Sequence, residues 1–318
     1  MINEKNIKVW STIGSRATFG IAVLDLAKEL SNLMVLTCDV STSAGLDRFK
    51  KTFPEKYLDV GIAEQNMIGI AAGLASEDYN VITTTFAPFQ SMRCFEQIKV
   101  NLGYMRQKVC MVGIGSGLAL GTLGFTHACI EDIGVLRSVP NIKIVSPADC
   151  LETVKALNEA VKQKESVYIR LTGASNNPIV YNNDYKFEIG KSIKLKDGND
   201  ITFFAAGTMV KTCLDVAEKL EKSNLSCSVV NMHTIKPIDK DAIDKACDSK
   251  LIVSAEEHNV IGGLGSAIAE YKSTKKNSPK QLFIGINDIY SSGGEYNFLK
   301  EKHGLTADKI VSKVLSII

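Results

Sequence analysis

Absences narrow this chain first. Its eight cysteines, Cys38, Cys94, Cys110, Cys129, Cys150, Cys213, Cys227 and Cys247, contain no C-x-x-C pair, and several lie inside apolar runs where a thiol packs as a small hydrophobe. That scatter argues against a structural zinc site and for a reducing compartment. No apolar run approaches the roughly 20 residues that cross a bilayer, which argues against a membrane protein. The opening residues Met1-Ile-Asn-Glu-Lys-Asn are too polar and too acidic for a signal sequence, so the expected location is the cytoplasm. No basic block stands out: 37 basic and 35 acidic residues are mixed along the chain, for a net charge of +2. A nucleic-acid surface is therefore not expected. Short repeats and low-complexity tracts are also missing. Two glycine-rich stretches, Gly113-Ile-Gly115-Ser-Gly117 and Gly262-Gly263-Leu-Gly265, lack the third glycine of a dinucleotide fingerprint, so tight turns and close helix packing explain them better than a nicotinamide cofactor.

What is present is alternation. At 318 residues the chain is long enough for two domains with real cores. Residues 16–30 space their apolar positions for an amphipathic helix, and strand-like runs follow at 33–40, 81–86, 109–114, 142–145 and 167–171. Such alternation predicts a mostly parallel sheet covered by helices on both faces. Between 172 and 200 the pattern gives way to Gly-Ala-Ser-Asn-Asn-Pro, Tyr-Asn-Asn-Asp-Tyr and Lys-Asp-Gly-Asn-Asp, the composition of a linker holding at most a weak strand. Strands resume at 201–206, 228–232, 251–254 and 282–286, and a helix over 307–317 closes the chain. The expected α/β architecture is a first domain over 1–180, a linker over 181–199 and a smaller second domain over 200–318.

Residues 59–74 organise the rest. They read Asp-Val-Gly-Ile-Ala-Glu-Gln-Asn-Met-Ile-Gly-Ile-Ala-Ala-Gly-Leu, a short β-prone segment running into a helix of small residues. In their midst stands one carboxylate, Glu64. An ionised carboxylate in an apolar setting loses hydration worth several kcal/mol unless a donor or a proton compensates. Capping of the following helix would be the plain explanation.

Gly61-Ile-Ala-Glu-Gln65 before Ala71-Ala-Gly-Leu74, with Thr84-Thr-Phe-Ala-Pro-Phe-Gln90 about twenty residues on, resembles the cofactor-activating signature of thiamine-diphosphate enzymes of the transketolase family. The resemblance covers essentially the whole chain. It implies the pyrimidine-binding domain of the thiamine diphosphate fold followed by the transketolase C-terminal domain. It gives Glu64 the role of hydrogen-bonding the cofactor's pyrimidine nitrogen, and Phe86 and Phe89 that of an aromatic pocket, with Phe89 the stacking ring. The loop Gly121-Thr-Leu-Gly-Phe-Thr-His127 resembles the family's Gly-x-Asp-Gly-x-Thr-His loop, which makes His127, one of only four histidines, the acid–base residue that meets substrate hydroxyls. Arg16, Ser43 and Arg170 fall where transketolases grip a sugar phosphate, a task suited to Arg forks and hydroxyls. Glu256, Glu257 and His258 could suggest a metal site, but a turn at a strand end explains them better.

Departures matter as much. Leu123 stands where the family commonly has an Asp that selects substrate stereochemistry, and Gly115 falls near the place of a phosphate-holding histidine, which points to an unphosphorylated or less usual acceptor. No Gly-Asp-Gly, the family's diphosphate and magnesium stretch, occurs anywhere; Asp197-Gly-Asn199 is only an echo. The resemblance therefore implies the C-terminal subunit of a split transketolase, moving a two-carbon ketol unit from a ketose donor to an aldose. A partner chain would bring Gly-Asp-Gly and hold most of the Mg2+, in a heterotetramer of two copies of each. The chain's own Met and polar lead-in favour a natural subunit over a broken enzyme. A deoxyxylulose-phosphate-synthase-like subunit, a 2-oxo acid dehydrogenase beta-like subunit and a non-catalytic partner remain the alternatives.

Overall fold

Six runs in the first half, most of them rich in β-branched residues, become strands: β1, Leu33–Thr37; β2, Tyr57–Asp59; β3, Asn80–Phe86; β4, Val109–Ser116; β5, Ile142–Val145; and β6, Ser166–Thr172. The computed structural model describes residues 2–173 and 175–318. Every residue of β4 and β6 is buried, as a parallel sheet covered on both faces requires. The period of two divides β4 between two cores. Cys110, Val112 and Ile114 pack with Phe19 and Leu151 of the helices Ser15–Glu29 and Cys150–Ala160. Val109 and Met111 pack on the other face with Met67 and Ile68 of the helix Glu64–Ser76.

The second half supplies β7, Ile193–Lys196; β8, Ile201–Ala205; β9, Cys227–Asn231; β10, Thr234–Lys236; β11, Leu251–Asn259; and β12, Lys280–Ile286. Five of them form a sheet in the order β12-β11-β8-β9-β7, parallel except for β7. The expected pair of mostly parallel, helix-flanked domains is therefore what the chain folds into. Residues 181–199 are not all linker, because β7 forms within them by pairing antiparallel with β9. The strand expected over 33–40 stops at Thr37, and Asp39 turns the chain with φ 56°.

β10 crosses between domains. It pairs antiparallel with β5, so the first sheet runs β10-β5-β6-β4-β3-β1-β2 with its last strand contributed by the second half of the chain. Just before it, the His233 carbonyl accepts the Ser146 N–H at 2.7 Å. The His233 ring is fully buried, 4.3 Å from the Phe187 ring, and burial pushes its pKa down to about 3, against the weak opposing charge of Asp239. A lowered histidine pKa means the folded state refuses a proton that the unfolded chain takes near pH 6.5. Its contribution is complete above that pH and is lost as pH falls towards 3. In His233→Phe, the thermal midpoint is expected to decline less steeply on acidification than in wild type, read by circular dichroism melts across that window.

Strand order fixes where a ligand belongs. β1 connects to β2 on one side, while β3 lies on its other side and leads on to β4, so β1 and β3 flank a topological switch point. In open α/β sheets ligands enter the crevice at the carboxyl ends of strands at such a point. Here Thr37 and Thr84 are cross-strand neighbours, and both hydroxyls are buried without a hydrogen-bond partner among the described residues.

Candidate active site

Four segments converge at that carboxyl edge. Glu64 opens the helix after β2, Phe86 ends β3, Phe89 begins the π-helical turn Phe89–Arg93, and His127 lies in the loop after β4. The three rings meet edge to face: Phe86 and Phe89 at 6.3 Å between centroids, Phe86 and His127 at 6.1 Å, Phe89 and His127 at 5.4 Å. Each is half-buried, so the cluster presents an aromatic wall instead of vanishing into the core. Thr126 Oγ1 lies 3.0 Å from His127 Nδ1, and within the described residues Nε2 receives no bond.

Glu64 is only 3% exposed, yet it does not cap its helix. Its Oε1 accepts Arg93 Nη1 at 2.7 Å, and the Arg93 guanidinium lies over the Phe89 ring, 3.9 Å from the centroid. Carboxylate, guanidinium, phenyl and imidazole thus form one continuous row. Arg93 is a member that sequence reasoning misses. Its only signal is a position four residues after Phe89, within the π-helical turn Phe89–Arg93, and such turns recur at functional sites. The neighbouring thiols Cys38 and Cys94 are pushed up to about 12, chiefly by burial with Glu64's charge adding, which leaves them inert.

Not every expected residue joins this row. Arg16 and Ser43 lie on adjoining segments: the loop after β1 packs so tightly on the helix Ser15–Glu29 that a Cβ on Gly45 would sit 3.0 Å from the Arg16 carbonyl oxygen. Arg170 stands apart as a correction. It is 2% exposed, its Nε donates to both oxygens of the fully buried Asp132, and its Nη2 donates to the carbonyls of Cys129 and Glu257. Burial works against its charge, but Asp132 and its neighbours override this and hold its pKa above the usual value. A guanidinium so enclosed ties the two domains together and has no free face for a sugar phosphate. Glu256, Glu257 and His258 lie within β11 and form no turn. Glu256 accepts the Leu264 and Gly265 N–H groups, and Glu257 accepts the Leu118 N–H and the Thr208 and Tyr296 hydroxyls. Among the described residues, no group of three or more His, Cys, Asp or Glu is placed to hold a metal ion.

Residues 11–176 match the family model for the transketolase pyrimidine binding domain, and residues 190–310 match that for the transketolase C-terminal domain. The chain belongs to the transketolase family. One relative is a 6-deoxy-6-sulfo-D-fructose transketolase subunit of Clostridium sp. (strain MSTE9), 36% identical over 93% of this chain and 92% of that one. Another, an apulose-4-phosphate transketolase subunit of Phocaeicola vulgatus, is 34% identical over 96% and 98%. A solved structure described as a split gene transketolase, an inactive beta4 tetramer, superposes with a TM-score of 0.86 at 36% identity, covering 96% of this chain and 97% of that one.

Transketolase membership implies dependence on thiamine diphosphate, and the residues present fit its pyrimidine half. A buried carboxylate has an oxygen, Oε2, that receives no bond within the described residues. Half-buried rings stand beside it, and orphaned hydroxyls line the switch point. At Gly115 φ is +65°, a backbone conformation that L side chains rarely adopt, so a side chain at that position would be strained. Leu123 is 55% exposed and offers no hydrogen bond to a substrate hydroxyl.

Proposed function

We propose that this chain is the C-terminal subunit of a split transketolase, transferring a two-carbon ketol unit from a ketose to an aldose in an active site completed by a second chain. The observation that carries the reading is the end-to-end match, at 36% identity and a TM-score of 0.86, to a split gene transketolase chain, with Glu64, Phe89 and His127 gathered at one sheet edge. The partner carries the Gly-Asp-Gly stretch and holds most of the Mg2+, and two copies of each chain form a cytoplasmic heterotetramer.

When bound, thiamine diphosphate supplies the carbanion chemistry on which ketol transfer depends. In this reading Glu64 would hold a proton on the pyrimidine nitrogen, and Phe89 with Phe86 would cover the ring's face. Arg93, which occupies that face in this chain alone, must move aside. Its guanidinium is 42% exposed on its side chain and has solvent to move into. His127, its Nδ1 fixed by Thr126, keeps Nε2 to exchange protons with substrate hydroxyls. Arg16 and Ser43 grip the distal end of the sugar. Leu123 and Gly115 favour an acceptor that is unphosphorylated or less usual, and relatives of similar identity named for two different sugars support a specialised pathway.

The test is reconstitution. Co-expressed with a Gly-Asp-Gly chain, this protein is expected to co-purify, to bind thiamine diphosphate with Mg2+ by calorimetry, and to transfer a ketol unit to an aldose panel. Each chain alone is expected to be inactive. Turnover by this chain without a partner would refute the split assignment.

A further inference from the structure

The loop that presents His127 is built on the other domain. Residues 118–128 leave β4 and return to the same point, where Gly117 and Cys129 exchange both backbone hydrogen bonds, at 2.8 and 2.9 Å. The neck of this excursion is held from β11: Glu257 Oε1 accepts the Leu118 N–H at 2.7 Å, and the Asn259 N–H donates to the Ile130 carbonyl at 2.8 Å. Its tip rests on the segment after β12. Gly294 N–H donates to the Gly121 carbonyl at 3.0 Å, and the Phe125 ring meets Tyr290 edge to face at 5.4 Å, with His303 behind at 6.4 Å. The Tyr290 hydroxyl reaches back to Glu131 Oε1 at 2.8 Å, whose other oxygen accepts the Ile130 N–H at 2.9 Å. Tyr290 therefore touches the loop at its tip and, through Glu131, at its neck.

We infer that Tyr290 is a positioning residue for His127: its ring clamps Phe125, two residues from the histidine, and so holds the imidazole against Phe86 and Phe89. Loops with few buried contacts open locally at low free energy, so one aromatic contact makes a measurable fraction of their order. Tyr290 is itself 70% exposed, so its removal opens no core cavity. The clamp rests on the functional reading only for its effect on turnover; its effect on the loop does not.

Both are measured on the same variants. In Tyr290→Ala, amides of residues 118–128 in the full chain are expected to exchange with deuterium about 2- to 10-fold faster, with the global unfolding midpoint unchanged. In the two-chain enzyme kcat should fall by a similar factor while KM changes less. Tyr290→Phe, which keeps the ring and loses the Glu131 bond, should restore most of kcat. Unchanged loop exchange in Tyr290→Ala overturns the inference, and so does faster exchange with unaltered kcat. If the wild-type pair shows no ketol transfer, the functional reading fails, and the exchange result alone decides whether Tyr290 holds the loop.

Discussion

Glu64→Ala, assembled with its partner chain, is expected to retain its fold and lose ketol transfer by about 10^2- to 10^4-fold, the range over which positioned proton-transfer groups act. Structural cost should be small. The substitution removes a first-turn carboxylate worth about 0.3–1 kcal/mol to the helix dipole. It also frees Arg93, whose side chain is 42% exposed and finds water at once. A stopped-flow or coupled assay of ketol transfer, run beside a thermal melt, separates the two effects. Glu64→Gln, which preserves the volume and an acceptor for Arg93 but not the charge, is expected to resemble Ala in rate and wild type in stability. Activity equal to wild type in either variant would reduce the row from Glu64 to His127 to packing.

Arg170→Met is expected to fail in the opposite way. A buried ion pair broken from one side leaves its partner's charge stranded, at about 3–5 kcal/mol. Asp132 is fully buried and also accepts the Tyr168 hydroxyl at 2.7 Å. Against a whole-domain stability of about 5–15 kcal/mol, that loss should shift the urea midpoint visibly and lower soluble yield. Adding Asp132→Leu and Tyr168→Phe removes the stranded carboxylate and the hydroxyl it served, and is expected to recover most of the stability. Had Arg170 gripped substrate, Arg170→Met would instead unfold like wild type and show a raised KM.

The contrast between these two positions shows what the sequence can reveal. Glu64, Phe86, Phe89 and His127 are legible because their neighbours form local motifs: the backbone geometry that brings each to the strand edge is encoded within a few residues of it. The long strands are legible for a similar reason, since runs such as 109–114 bury both faces. Arg170 is misread because its role is set by Asp132, 38 positions earlier, and by the Glu257 carbonyl, 87 positions later. Nothing around Tyr168-Ile-Arg-Leu171 announces either. Arg93 escapes notice because its partner, Glu64, lies 29 positions earlier. β7 and β10, at four and three residues, are too short for any periodicity to show. They become strands because a neighbouring sheet edge supplies their hydrogen bonds.

That dependence binds the two halves of the molecule into one unit. A chain cut in the segment after residue 180 would leave β5 with a bare row of backbone donors and acceptors where β10 had lain, and an unprotected edge of that kind invites self-association. Buried Asp132 would still hold Arg170, but the Glu257 carbonyl would be gone from its other side. The second half, released, would carry β10 as a loose three-residue stretch with nothing to order it. The two family models that divide this chain so cleanly at the level of sequence therefore do not mark where it can be dissected. Melting is expected to be a single cooperative event, with both halves present or neither.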